Sequence, residues 1–188
     1  MHTDLVAADA AVVTATVELV GRITSWQLPT PCAGWDLSAL VTHMTDQHRI
    51  FASAARGEEV PAVRTYAEAA DLVLAAFAGP GVLDRPFVLP EIHPTITFPG
   101  RQAIGFHLVD YVVHGWDVAA ALGVPFRPAP DVLALTLPIA RAVPDGAARQ
   151  EAGSAFAPAL PIPAGTDPLD EILLLLGRDP ASCPQKLS

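Results

Sequence analysis

Residues 101–122 contain no proline and are closed by Gly123 and Pro125, which predicts one long helix. Its apolar side chains fall on every side: Ile104, Phe106, Leu108, Val109, Val112, Val113, Trp116 and Val118. A surface helix keeps such residues in one stripe, whereas a helix apolar all round has to be enclosed by others. The chain must therefore supply a helical bundle to surround this segment.

The flanking sequence provides one. Residues 3–23 carry Leu5, Val12, Val13, Val17, Leu19 and Val20 at helical spacing and meet no glycine or proline before Gly21. Pro29, Pro31 and Gly34 break the chain, and a second helix follows Trp35, with Asp36 or Ser38 as its cap and Gly57 as its end. Thr65-Tyr66-Ala67-Glu68 is a capping box for a third helix that stops at Gly79-Pro80-Gly81. Residues 83–99 alternate prolines with β-formers and predict a small extended excursion, at most a hairpin. A fifth helix is expected over residues 131–143, interrupted or bent near Pro138, and a short last one over residues 169–177 after a proline-rich connector. The fold class is all-α, and residues 1–188 are read as one domain.

Hydrophobic residues make up 51% of the chain and charged ones 16%. That is enough apolar material to close a core without a disulfide or metal staple, so a metal here would be a matter of function. A formal net charge of −9 repels phosphate backbones and anionic lipid, which speaks against nucleic-acid and membrane partners. Cys32 and Cys183 are distant and form no CxxC pair, which suits a reducing compartment. The N-terminal stretch carries Asp4 and Asp9 and has no basic-then-apolar pattern, so a cytoplasmic protein is expected. Alanine and leucine on the bundle surface would suit a homodimer.

On the central helix, His107, Asp110 and His114 are three and four residues apart and share one stripe. A carboxylate on so apolar a helix costs several kcal/mol unless its charge is answered, and no Lys or Arg lies between Gln102 and Phe126. A divalent cation held by Asp110 and His114 is one answer. A plain Asp–His hydrogen bond is another, and spacing alone leaves both open. A metal would need a third ligand from elsewhere. His43 and His48 of the second helix point about 140° apart. His43, flanked by Leu40, Val41 and Met44, is the one expected to face the core; His48, followed by Arg49, reads as a solvated surface residue. Asp46 reads as solvent-facing, Asp117 as outer-face or bonded to a neighbouring helix, and Trp35 and Trp116 as core fillers. Cys32 has no evident cationic activator and reads as a packed thiol.

Two motifs resemble a known family. Thr30-Pro31-Cys32-Ala33-Gly34-Trp35-Asp36-Leu37, followed by Leu40-Val41-Thr42-His43, resembles the TPC-x-x-W…L-V-x-H opening of DinB/YfiT-like metal-binding proteins. More specifically it is similar to their actinobacterial branch, related to the N-terminal domain of mycothiol-dependent maleylpyruvate isomerase. The run His107-Leu-Val-Asp110-Tyr-Val-Val-His114-Gly-Trp116-Asp117-Val-Ala119 resembles the family's D/E-x-x-x-H-x-W-D-L-A. Leu174-Leu175-Leu176-Gly177-Arg178-Asp179-Pro180 is similar to the branch's C-terminal signature.

The resemblance implies an up-down four-helix bundle with additional short helices, and a divalent metal on His43, Asp110 and His114. Zinc is the default ion for such ligands, with nickel, manganese and iron open. It also implies an enzyme that uses a thiol cofactor of the mycothiol type on a small electrophilic substrate, as an isomerase or S-transferase. His107 would then be a general base or a substrate contact. Metal-assisted hydrolysis and non-catalytic metal or ligand binding are the alternatives. The isomerase carries Glu where this chain has Asp110, and it has a further C-terminal domain where only a short tail follows residue 131 here. Maleylpyruvate itself is therefore not carried over as the substrate.

Overall fold

The structure is a computed structural model that describes residues 4–151 and 156–182. Among them are six α-helices and one two-stranded sheet: α1 (Leu5–Val20), α2 (Leu37–Arg56), α3 (Tyr66–Phe77), β1 (Pro86–Val88), β2 (Thr97–Pro99), α4 (Gly100–Leu122), α5 (Pro130–Ala142) and α6 (Pro168–Leu175). No helix among the described residues is long and apolar enough to cross a membrane.

The helix ends follow local chemistry. Asp36 accepts the Ala39 N–H at 2.9 Å to start α2, and Gly57, at φ 72°, ends it in the left-handed conformation that glycine adopts without a Cβ penalty. Thr65 caps α3 through the Glu68 N–H. Glu68 reaches back to the Arg64 N–H at 2.7 Å, one residue earlier than the usual box. α5 runs on through Pro138 without a break.

α1, α2, α3 and α4 make the four-helix bundle. α1 packs on α4 and α3, and α2 packs on α3 and α4, so the four close into a ring. α4 behaves as an apolar-all-round helix should: residues from Ala103 to Ala120 are buried on nearly every side. α5 lies against α4 and α1, and α6 covers α5.

The excursion plugs one end of the bundle. β1 and β2 pair antiparallel, with Phe87 opposite Phe98. Phe87 and Leu89 are buried against Phe51, Val73, Phe77 and Ile104, while Val88, the alternate residue on β1, points out. The turn into α4 is tight enough to require glycine. A Cβ on Gly100 would lie 1.9 Å from the Val82 carbonyl oxygen, a backbone atom that cannot swing aside. Gly100→Ala should therefore cost about 1–3 kcal/mol in urea unfolding, as over-packing does. An unchanged midpoint would contradict this account of the plug.

Candidate functional site

α4 presents Asp110 and His114 one turn apart, and α2 brings His43 across from them. A donor atom from each of the three lies within 4.8 Å of the other two. His114 Nε2 is 3.4 Å from Asp110 Oδ1, and the His43 and His114 rings meet edge-on with centroids 5.3 Å apart. The site is partly open: the His114 side chain is 3% exposed and that of Asp110 21%, and His43 is half-buried. Trp35, from the loop before α2, is partly buried against the core and also borders the site. Its ring centroid lies 4.9 Å from that of His43 and 6.3 Å from that of His114, walling the cluster from the side. Trp116, in contrast, is buried in the core.

The protonation preferences of the two histidines diverge. Burial is the main reason that His43 sits below its ordinary pKa, although Asp110 pulls the other way. Burial also works against charging His114, but Asp110 and Asp117 together outweigh it, and its pKa is raised. Asp117 is fully buried, not on an outer face. Its Oδ2 lies 3.0 Å from His114 Nδ1. From the far side Arg178 donates to it through Nε and Nη2, at 3.1 Å each for the shortest contacts. Asp117 continues the stripe of Asp110 and His114 at spacing three, a signal that was legible in the sequence.

Cys32 joins His114 and Asp117 in a second cluster of donor atoms within 4.8 Å of one another. The two clusters differ in what already compensates them. Both oxygens of Asp117 are taken by a guanidinium, so a cation there would meet Arg178 in place of an open carboxylate. Asp110 has no such partner among the described residues, and the triad of His43, Asp110 and His114 is the cluster whose donor set fits a divalent ion. Burial raises the Cys32 thiol pKa, against the opposing pull of Arg178.

One turn and more away, the structure corrects the reading of His48. It is fully buried, not solvated. Its Nδ1 lies 3.1 Å from His107 Nε2 and its Nε2 3.2 Å from Tyr66 Oη. The error came from supposing that α2 hides one face. α3 and α4 flank it on two sides, so the 140° between His43 and His48 takes one to the rim and the other inside. His107 is likewise fully buried, and its Nδ1 is 2.7 Å from Asp9 Oδ1. Both of its ring nitrogens are thus engaged inside the bundle. Asp9, missed as a site residue, lies on the α1 stripe of Val12, Val13 and Thr16, all buried.

Counting protons along this chain fixes its direction. Thr16 donates its hydroxyl proton to the Val13 carbonyl, so Tyr66 donates to Thr16 across 2.6 Å. Tyr66 then accepts from His48 Nε2–H. Burial holds His48 well below its ordinary pKa and keeps it neutral, so its Nδ1 accepts from His107 Nε2–H. An unfolded histidine takes up a proton near pH 6.5 and the folded His48 does not, so this residue makes stability fall as pH drops below about 6.5. The His48 ring proton resonances should stay flat between pH 8 and pH 5.5 in NMR. A titration centred near 6.5 would refute the assignment.

Comparison with known proteins gives the family. The family described as "Mycothiol maleylpyruvate isomerase N-terminal domain" matches residues 6–119, which include His43, His107, Asp110, His114 and Asp117. Two curated relatives, uncharacterized proteins of Mycobacterium tuberculosis from the Oshkosh strain and from strain H37Rv, are each 32% identical over 174 residues. Each alignment covers 87% of this chain and 92% of the relative, so it extends beyond the four-helix bundle through α5. No solved structure matches the chain.

Proposed function

The chain belongs to the family of the mycothiol maleylpyruvate isomerase N-terminal domain, and on that premise we propose that it is a divalent-metal protein using a mycothiol-type thiol on a small electrophile. The observation that carries this reading is the convergence of His43, Asp110 and His114, with donor atoms within 4.8 Å of one another, on one open side of the bundle. Isomerisation and S-transfer are the two reaction classes, and both proceed through attack by a thiolate.

Three protein donors with a solvent-facing side suit a site that keeps a coordination position for a further ligand. A divalent ion there would supply the positive charge that favours thiolate over thiol near neutral pH. Zinc is the ion that two imidazoles and a carboxylate suit most commonly. The remaining work falls to side chains of the chain itself. Asp117 holds the Nδ1 edge of His114, leaving Nε2 to face Asp110. Trp35 covers one flank and limits water at the cluster, and Asp110 offers its carboxylate from the exposed edge. His107 has no free ring nitrogen, so its part is to fix α4 against α1 and α2 from within, in place of proton transfer to a substrate.

Metal-assisted hydrolysis with no thiol, and plain ligand binding, are separated from this reading by one set of measurements. Protein purified without a His tag should contain close to one metal ion per chain. His43→Ala and Asp110→Ala should each lower affinity by more than the about 10–100-fold that losing an outer hydrogen-bond partner costs. Adding mycothiol to the cobalt-substituted protein should shift its visible spectrum. Full metal retention in either variant would sink the site, and an unchanged spectrum would sink the thiol.

A further inference from the structure

We propose that Arg178, delivered by the turn that follows α6, is a positioning residue for His114: it locks Asp117, and through Asp117 the ring orientation and tautomer of that histidine. The assignment rests on the metal reading above and adds to it a part of the chain that lies outside the four-helix bundle and outside the matched residues 6–119.

The geometry is that of a closed relay. Arg178 is 4% exposed and Asp117 fully buried, so neither charge has water as an alternative partner. The guanidinium meets the carboxylate with Nε and Nη2, the fork that arginine presents to a planar anion. Its remaining Nη1 donates to the Leu176 carbonyl. Asp117, held on that side, turns Oδ2 to His114 Nδ1 at 3.0 Å. A carboxylate in that position keeps the proton on Nδ1, so that Nε2, the nitrogen facing Asp110, is the one left to an ion.

The turn itself is fixed independently of the ion pair. Gly177 sits at φ 76°, and a Cβ there would lie 2.6 Å from the Ala157 Cβ, so the backbone is tightly packed where Arg178 emerges. Arg149 donates to the carbonyls of Leu175 and Ala157, tying the same segment down. Arg178 also has a selective effect. By occupying both oxygens of Asp117 it closes the Cys32–His114–Asp117 cluster to cations and leaves the His43–Asp110–His114 cluster as the open one.

The test uses the full chain with Arg178→Met, Arg178→Lys and Asp117→Asn. Arg141→Gln serves as a control that removes only the α5–α6 ion pair to Glu171. Metal-free protein is read first by 15N-edited NMR of the His114 ring. A hydrogen-bonded Nδ1–H should be present in wild type and Arg141→Gln, and lost or displaced in Arg178→Met and Asp117→Asn. Cobalt binding is read second. Affinity should fall about 10–100-fold in Arg178→Met and Asp117→Asn, with a changed visible spectrum, and by less in Arg178→Lys, which keeps the charge and loses the fork. A folded Arg178→Met with a wild-type Nδ1–H signal and wild-type cobalt affinity would overturn the proposal. If Arg178→Met does not fold, a wild-type tautomer signal and affinity in Arg178→Lys would overturn it too. Should wild type bind no cobalt while the Nδ1–H signal still responds to Arg178→Met, the metal reading fails and the positioning role stands.

Discussion

Two carboxylates and two histidines have to be accommodated on a helix that is otherwise apolar on almost every side, and the surrounding structure is arranged to answer all but one of them. Water cannot do it, because α4 is enclosed by α1, α2 and α5. Asp117 is answered by Arg178, His107 by Asp9 and His48, and His114 by Asp117. Removing one partner from such a buried pair costs about 3–5 kcal/mol, far more than an exposed ion pair is worth. Among the described residues Asp110 has no guanidinium or ammonium partner, only the His114 ring at 3.4 Å and a partly open edge. The unanswered charge on α4 is thus the one beside His43.

Seen this way, α4 separates two kinds of polar chemistry along its length. Toward its N-terminal half, the Asp9–His107–His48–Tyr66–Thr16 chain runs wholly inside the bundle, with Tyr111 stacked on both histidine rings, and Asp9 Oδ2 at its end is buried with no hydrogen-bond partner among the described residues. Buried polar networks of this sort hold helices in one register. A turn further on, the His43–Asp110–His114 cluster has donors in excess of its internal partners and faces solvent. The same residue types play opposite parts because α2 and α3 both cover the first group, while the loop carrying Trp35 only flanks the second.

Much of this was legible in the sequence. The apolar circumference of residues 101–122 predicted a bundle, and the Asp36 and Thr65 caps and the glycines that follow placed the ends of α2 and α3 within a residue or two. The 3–4 spacing singled out Asp110 and His114, and would have taken in Asp117 had the stripe been followed one step further. Other parts were hidden for physical reasons. Asp9 and Arg178 lie 98 and 61 residues from their partners, and no local periodicity encodes which distant charge will meet a buried one. His48 was misplaced because helical phase gives directions around an axis without saying how many neighbours the helix has. Trp35, on a loop, carried no phase at all.

The central claim is that His43, Asp110 and His114, rather than the neighbouring Cys32 cluster, hold the ion. X-ray absorption at the metal edge of the zinc-loaded protein, with no thiol added, tests it most directly. The account predicts a first shell of nitrogen and oxygen at about 2.0–2.2 Å with the multiple scattering of two imidazoles, and no sulfur. A sulfur shell at about 2.3 Å in the absence of added thiol would place the ion at Cys32 and contradict the account.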